Sequence, residues 1–220
     1  MTAYYGTLLF DFDSTLIRCE SLDLFFKITQ NNPTLSKQIE HITHLGMAGE
    51  ISFAESLSQR LALLNTTPTA LQHFAKTLIN YITPNMPELI AWAHHYFDIW
   101  IVSGGLTPLI LPVAEKLNID KSHVKAINLQ WHDQHLHADP ENGFATDKIT
   151  GAKQCLSLWQ TPITIIGDGY TDFQLFEANI AHYFIAYCQH VERANVITQT
   201  RYRAYQPAEI KQQLELLYEI

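Results

Sequence analysis

Five short apolar runs, each bounded by glycine, aspartate or serine, alternate with stretches of helical periodicity along much of this chain. They are predicted strands at residues 7–10, 98–102, 124–129, 163–166 and 183–187. Helices are predicted between them at 86–97, 107–117, about 148–159 and 172–178. Such alternation is typical of parallel strands with helices on both faces of the sheet. The sequence therefore predicts an α/β fold with a Rossmann-like parallel sheet.

Residues 18–81 interrupt this alternation, because they contain helical patterns and no convincing strand. Helices are predicted there at 21–30, 34–45, 52–64 and 68–81, with Asn and Pro clusters between them. We expect a small all-helical cap at 18–81, inserted after the first strand of a core formed by 1–17 and 82–220. A polar hairpin at about 129–142 and an amphipathic helix from about 209 complete the predicted elements.

Polar motifs stand at the carboxyl ends of three predicted strands, where parallel sheets bind their ligands. They are Asp11-Phe12-Asp13, Ser103-Gly104-Gly105, and Gly167-Asp168-Gly169 with Asp172 close behind. Paired carboxylates can hold a hard cation such as Mg²⁺. Glycines ahead of a helix that begins near Thr107 let backbone amides approach an anion. The motifs indicate a site for a cation and an anion at one edge of the sheet.

Together with Lys148 at the start of a predicted helix, these motifs resemble the haloacid dehalogenase superfamily. The surrounding detail is most similar to the phosphoserine phosphatase family. The resemblance implies a Mg²⁺-dependent phosphomonoesterase that hydrolyses O-phospho-L-serine through an aspartyl-phosphate, with a place in serine biosynthesis. It implies that Asp11 is the nucleophile and that Asp13 is the general acid and base. Asp11, Asp168 and the backbone carbonyl of Asp13 would hold Mg²⁺, and Asp172 would orient Lys148 or a metal-bound water.

The resemblance also assigns substrate contacts, over roughly residues 7–178. Those at the strand ends and the following helices are Ser103, Gly104, Gly105, Lys148 and Thr171. Lys148 is preferred over Lys153 because its separation from Gly167 fits the family better.

Four further contacts come from the predicted cap and the segment that enters it. Glu20 would meet the substrate ammonium, and Arg60 would pair bidentately with the substrate carboxylate. Met47 and Phe53 would shield the site from water. Each of these four residues, taken singly, is also compatible with an ordinary helix charge or a core filler.

Other interpretations of the same residues stay open. Since Asp13 would activate a water or an alcohol, the phosphoryl group could pass to an amino alcohol such as homoserine. The substrate could be another small amine phosphate. A catalytically silent binding module would be expected to have lost Asp11, Asp13, Lys148 or Asp168, and all four are present.

Composition restricts the partners. The formal net charge is −8, and the 14 lysines and arginines form no cluster, which argues against a nucleic-acid partner. We expect no membrane partner, because no apolar stretch approaches the roughly 20 residues that span a bilayer. The first residues lack the features of a signal peptide. The partner expected is a small phosphorylated amino acid, and the sequence is silent on oligomeric state.

Two residue groups could suggest other chemistry. Cys19, Cys155 and Cys188 are odd in number and widely spaced, which fits reduced cytosolic thiols and predicts a cytoplasmic protein. Cys19 as a nucleophile is disfavoured because no histidine is arranged to activate it. A second group, His132, His135 and His137, could suggest a transition-metal site. A solvated hairpin is the expected interpretation of those histidines.

Overall fold

The structure is a computed structural model that describes residues 4–29, 33–48, 50–64, 66–132 and 135–220. Its strands are β1 (Thr7–Phe10), β2 (Asp98–Leu106), β3 (Val124–Ile127), β4 (Leu129–His132), β5 (His135–Ala138), β6 (Ile163–Gly167), β7 (Tyr183–Tyr187) and β8 (Arg203–Ala204). Six of them form a parallel sheet in the order β3-β2-β1-β6-β7-β8. The other two, β4 and β5, form a separate antiparallel pair.

The helices surround this sheet and fill the long connection after β1. They are α1 (Ser21–Thr29), α2 (Pro33–Ala48), α3 (Phe53–Ala62), α4 (Pro68–Thr77), α5 (Met86–Ala93), α6 (Thr107–Lys116), α7 (Lys148–Lys153), α8 (Tyr170–Glu177), α9 (Ala194–Ile197) and α10 (Pro207–Tyr218). Short helical turns lie at Phe12–Leu16, Leu78–Tyr81, Lys121–His123, Gly143–Ala145 and Leu156–Leu158.

The centre of the sheet is covered on both sides, since every residue of β1 and of β6 is buried. Strands with helices on both faces have near-continuous apolar sequences, which is why these runs could be identified. The chain moves one way from β1 to β3 and the other way from β6 to β8. Because parallel crossovers are right-handed, α6 lies on one face, and α7 and α8 lie on the other. The carboxyl ends of β1, β2 and β6 therefore meet where the strand order reverses.

Helices α1 to α4 form an insertion between β1 and β2. The chain enters and leaves it at one place, where Ile17 and Ile82 form an antiparallel bridge. Next to the bridge, the amide of Arg18 donates to the carbonyl of Tyr81 over 2.9 Å. These contacts lie at the expected limits of the cap, and the division into a core and a cap stays a prediction.

Several predicted bounds were wrong. The run 124–129 is two strands, because the chain leaves the sheet at Asn128, whose carbonyl accepts from the amide of Asp139 over 2.9 Å. The helix expected at 148–159 ends at Lys153, and Leu156 and Leu158 beyond it are 43% and 49% exposed. Their apolar spacing had extended the helical pattern too far.

Smaller differences occur elsewhere. The helix expected at 86–97 ends at Ala93, and the one expected at 172–178 begins at Tyr170. Strand β2 continues through the glycines to Leu106, with a register shift against β3 after Val102. Neither α9 nor β8 was predicted.

The expectations about membrane spans and cysteines can be compared with the structure, whereas the one about the histidine group cannot. Among the helices that it describes, none is long and apolar enough to cross a membrane. Cys19, Cys155 and Cys188 are free thiols. The hairpin tip at 133–134 lies outside the described residues, as do the side chains of His132 and His135, so the interpretation of the histidine group is untested.

Candidate active site

The carboxylates that follow β1 and β6 meet at the reversal of strand order. Phe10 pairs with Ile166, and the amide of Asp11 donates to the carbonyl of Ile166 over 2.9 Å, so Asp11 and Asp168 leave the sheet side by side. One oxygen from each of Asp11, Asp168 and Asp172 lies within 4.8 Å of the others. Two of the three residues predicted to hold the metal, Asp11 and Asp168, thus belong to one cluster of oxygen atoms.

Lys148 lies between two of these carboxylates. Asp147 caps α7 by accepting from the amide of Thr150, which places Lys148 in the first turn. Its Nζ donates to Asp11 Oδ1 over 2.7 Å and to Asp172 Oδ1 over 2.5 Å. Burial alone would lower the pKa of Lys148, but the two carboxylates raise it overall, so the ammonium stays charged. Lys153 is exposed, which leaves Lys148 as the lysine at the cluster.

Asp172 is fixed from both sides. Its Oδ1 meets Lys148, and its Oδ2 accepts from the amide of Gly169 over 3.0 Å. A Cβ atom at Gly167 would lie 2.2 Å from Asp172 Oδ2, so this position has no room for a side chain. Lys148 therefore has a second, fully buried carboxylate partner that is itself held by a backbone amide.

The turn after β1 holds Asp13 and Glu20. Ser14 adopts a left-handed conformation with φ of 53°, and its hydroxyl donates to Glu20 Oε1 over 2.7 Å. Asp13 Oδ1 accepts from the amide of Ser21 over 2.7 Å. Burial first, and then the charges of Glu20 and Asp11, raise the pKa of Asp13 well above its usual range. The Asp13 carboxyl is therefore suited to carry a proton that it can donate.

The carboxyl end of β2 forms the opposite wall. The Ser103 hydroxyl accepts from the amide of Gly105 over 3.0 Å. A Cβ atom at Gly105 would lie 3.1 Å from Asp13 Oδ2, and one at Gly104 would lie 3.3 Å from Cζ of Phe53. Phe53 belongs to α3, so a ring of the insertion rests on Gly104 of β2.

A cavity of about 660 Å³ opens between the sheet edge and the insertion. Its lining includes Thr171 as well as the residues at the strand ends, and Arg60 from α3. Arg60 Nε donates to the carbonyl of Ser56 over 3.3 Å, and burial lowers the pKa of Arg60. Within the described part of the chain Arg60 makes no direct ion pair. Met47 lies in α2, but its side chain is outside the described residues.

Several polar residues that were not predicted from the sequence also line the cavity, among them Arg193, Asp23 and Thr43. Arg193 precedes α9, and its Nε and Nη2 lie 3.1 and 3.0 Å from Asp168 Oδ2. Asp23 and Thr43 each carry a buried oxygen atom without a hydrogen-bond partner. Asp23 could have been found, because it follows Glu20 by three residues, in the first turn of α1. Arg193 lies far beyond the strand-end motifs in an irregular loop, and no pattern marks it.

The cluster of carboxylates fits a divalent cation. Burial, followed by the charges of Asp11 and Asp172, raises the pKa of Asp168 to about 7. Burial and Asp11 raise that of Asp172 to about 6. Crowded, poorly solvated carboxylates gain most from a positive charge, and Mg²⁺ prefers oxygen donors. The residues present are thus suited to Mg²⁺, while Lys148 and Arg193 balance only part of the negative charge.

Cys19 lies beside this site, but its surroundings disfavour a nucleophilic thiolate. Burial, together with Asp13 and Glu20, raises the pKa of its thiol to about 12. The reactive form of cysteine is the thiolate, which would be negligible near neutral pH.

Known proteins resemble this chain in sequence and in structure. A family model described as haloacid dehalogenase-like hydrolase matches residues 8–177. The phosphoserine phosphatase of Homo sapiens is 29% identical over 171 residues, which cover 75% of this chain and 74% of that protein. The phosphoserine phosphatase of Lactococcus lactis is 29% identical over 209 residues, which cover 88% of this chain and 93% of that protein. A phosphoserine phosphohydrolase-like protein from Francisella tularensis superposes with a TM-score of 0.86 at 39% identity, covering 94% of this chain and 99% of that one.

Proposed function

Because this chain belongs to the haloacid dehalogenase-like hydrolases, we propose that it is a Mg²⁺-dependent phosphatase that hydrolyses O-phospho-L-serine to serine and phosphate. One arrangement carries the proposal. A single cavity has Lys148 and the clustered carboxylates at the sheet edge, and Glu20 and Arg60 towards the insertion. The sheet edge suits a metal-bound phosphomonoester group, and the side towards the insertion suits the ammonium and carboxylate of an amino acid.

The phosphoryl group would lie at the strand ends. Ser103, Gly104 and Thr171 offer hydroxyl and amide donors for its oxygens, while the Gly105 amide holds the Ser103 hydroxyl in place. Lys148 adds a positive charge. Mg²⁺, held by Asp11, Asp168 and the carbonyl of Asp13, would supply the charge that lets one anion approach another. Arg193 would support this role by neutralising Asp168.

The chemistry proceeds in two displacements at phosphorus, with Asp11 as the nucleophile of the first and the leaving group of the second. Lys148 holds Oδ1, which leaves Oδ2 to attack phosphorus as the bond from phosphorus to the serine oxygen breaks. Asp13, whose raised pKa favours its protonated form, gives its proton to that oxygen. A water molecule then attacks the phosphorus and loses a proton to Asp13. The carboxylate of Asp11 is released with inorganic phosphate.

The amino-acid end would be recognised by opposite charges. Among the described residues Arg60 uses only Nε, so both Nη groups remain for the substrate carboxylate. Glu20 accepts from the ammonium while Ser14 holds its other side. We further propose that residues 18–81 act as the cap, with Phe53 and Met47 closing the site against water.

Phosphate release tests this proposal. We expect kcat/KM to be highest for phosphoserine, with phosphoethanolamine as a control that lacks the carboxylate. EDTA should abolish activity, and added Mg²⁺ should restore it. Equal rates for the two esters would instead favour another small amine phosphate as the substrate. Formation of phosphohomoserine when homoserine is added would favour a phosphotransferase.

A further inference from the structure

A buried hydrogen-bond junction joins three segments of the chain at Thr83. The Thr83 hydroxyl donates to the carbonyl of Thr15 over 2.8 Å, and Nε2 of His190 lies 2.9 Å from the same hydroxyl oxygen. The amide of Thr83 donates to the carbonyl of Leu16 over 2.9 Å. Thr83 is fully buried, and neither it nor His190 lines the cavity. The junction thus connects the turn of Asp13, the exit from the insertion and the loop after β7.

Counting protons fixes the donor at His190. The Thr83 hydroxyl has one proton, which is used on the carbonyl of Thr15, so His190 Nε2 must donate to the hydroxyl oxygen. Burial, and then the charge of Arg18, lowers the pKa of His190, which leaves the ring neutral with its proton on Nε2. The contact is therefore a directed bond from the loop to Thr83.

The same loop carries Arg193. On the carboxyl side of Arg193, the amides of Val196 and Ile197 donate to its carbonyl over 2.8 and 3.0 Å. On the amino side, the bond from His190 to Thr83 anchors the loop three residues earlier. Between these two anchors the guanidinium reaches Asp168 Oδ2. A cationic side chain that is already held in place binds a ligand more tightly than a flexible one, because a flexible side chain loses conformational entropy on binding.

We propose that His190 is a positioning residue, whose bond to Thr83 fixes the loop so that Arg193 stands ready beside Asp168 for a bound phosphoryl group. Because Thr83 also donates to the carbonyl of Thr15, the bond links the position of Arg193 to the turn that carries Asp13. This inference rests on the phosphatase chemistry proposed above and is independent of the choice of phosphoserine.

Inhibition by inorganic phosphate, measured against hydrolysis of p-nitrophenyl phosphate in excess Mg²⁺, tests the positioning role. His190→Ala should raise the inhibition constant about fivefold to tenfold, the size of one lost hydrogen bond. His190→Gln should recover most of this loss, because its amide can donate in a similar place. In protein that already carries Arg193→Ala, His190→Ala should change the inhibition constant for phosphate by less than about twofold, because His190 acts through Arg193. An equal change in both backgrounds would overturn the proposal.

A matched pair at Thr83 guards against misfolding of the His190 variants. Thr83→Val keeps the shape and loses the hydroxyl, whereas Thr83→Ser keeps the hydroxyl. The Val variant should weaken phosphate inhibition like His190→Ala, and the Ser variant should not. A fall in Tm in the Val variant with phosphate inhibition unchanged would overturn the proposal. Wild-type protein that cleaves p-nitrophenyl phosphate but not phosphoserine would refute only the substrate assignment.

Discussion

Arg60→Ala is expected to harm the hydrolysis of phosphoserine far more than that of phosphoethanolamine. Among the described residues the guanidinium uses one donor on Ser56, and its Nη groups remain for a ligand in the cavity, where burial lowers the pKa of Arg60. Hydrogen bonds to charged groups contribute about 1.5–3 kcal/mol, and about 1.4 kcal/mol is a factor of ten. The preference for phosphoserine, expressed as the ratio of the two kcat/KM values, should therefore fall by about tenfold to a hundredfold.

Phosphate release with each ester, over a range of concentrations in excess Mg²⁺, gives this ratio. Arg60→Lys should recover only part of the preference for phosphoserine. Its ammonium keeps the positive charge but lacks the planar fork of donors. Arg203→Ala is a matched control, since Arg203 is an exposed arginine on β8 outside the cavity. If Arg60→Ala lowered kcat/KM for both esters by the same factor, Arg60 would not be a carboxylate contact and the phosphoserine assignment would fail.

Three further outcomes follow from the site. Asp13→Asn should slow phosphoserine hydrolysis about 10²–10⁴-fold. With p-nitrophenyl phosphate, formation of the phosphoenzyme by this variant should be slowed less than with phosphoserine. If rapid-mixing kinetics found that both substrates formed it more slowly by the same factor, Asp13 would not be the general acid. Gly167→Ala should push Asp172 from Lys148 and cost about 1–3 kcal/mol of unfolding free energy, measured by urea denaturation. Gly169→Ala, whose Cβ would lie 3.3 Å from Asp172 Oδ2, should cost less. Because burial raises the pKa of Asp168 to about 7, its contribution to the stability of metal-free protein should fall as pH rises through that value. Mg²⁺ needs the ionised carboxylate, so the rise in Tm on adding Mg²⁺ should be larger at about pH 8 than at about pH 6; the opposite order would contradict this.

The sheet and the acidic centre could be predicted from sequence because both depend on local patterns. A buried parallel strand needs a short apolar run, and Asp11 and Asp168 follow two such runs directly. The rule that ligands bind at the carboxyl ends of strands then places them together. Lys148 could be chosen over Lys153 because its separation from Gly167 fits the family that the chain resembles, and the structure places it between Asp11 and Asp172.

The rest depends on contacts between distant segments. Arg193 reaches Asp168 from a loop whose place is set by the fold, and the bond from His190 to Thr83 joins residues 107 positions apart. No local pattern signals such a contact. Boundaries failed where an apolar pattern continued past its element, as at Leu156 and Leu158, or crossed a bend, as at Asn128.

Trapping the phosphoryl group on Asp11 tests the central claim most directly. Asp13→Asn protein mixed with labelled p-nitrophenyl phosphate should still undergo the first displacement, because the leaving group needs little protonation, while the second step lacks its base. We predict a burst of nitrophenolate of about one equivalent per active site, with the label on the peptide that contains Asp11 after acid quenching. The double variant Asp11→Asn/Asp13→Asn should show neither the nitrophenolate burst nor the labelled peptide. Slow turnover by Asp13→Asn without a burst and without label on Asp11 would contradict the covalent mechanism.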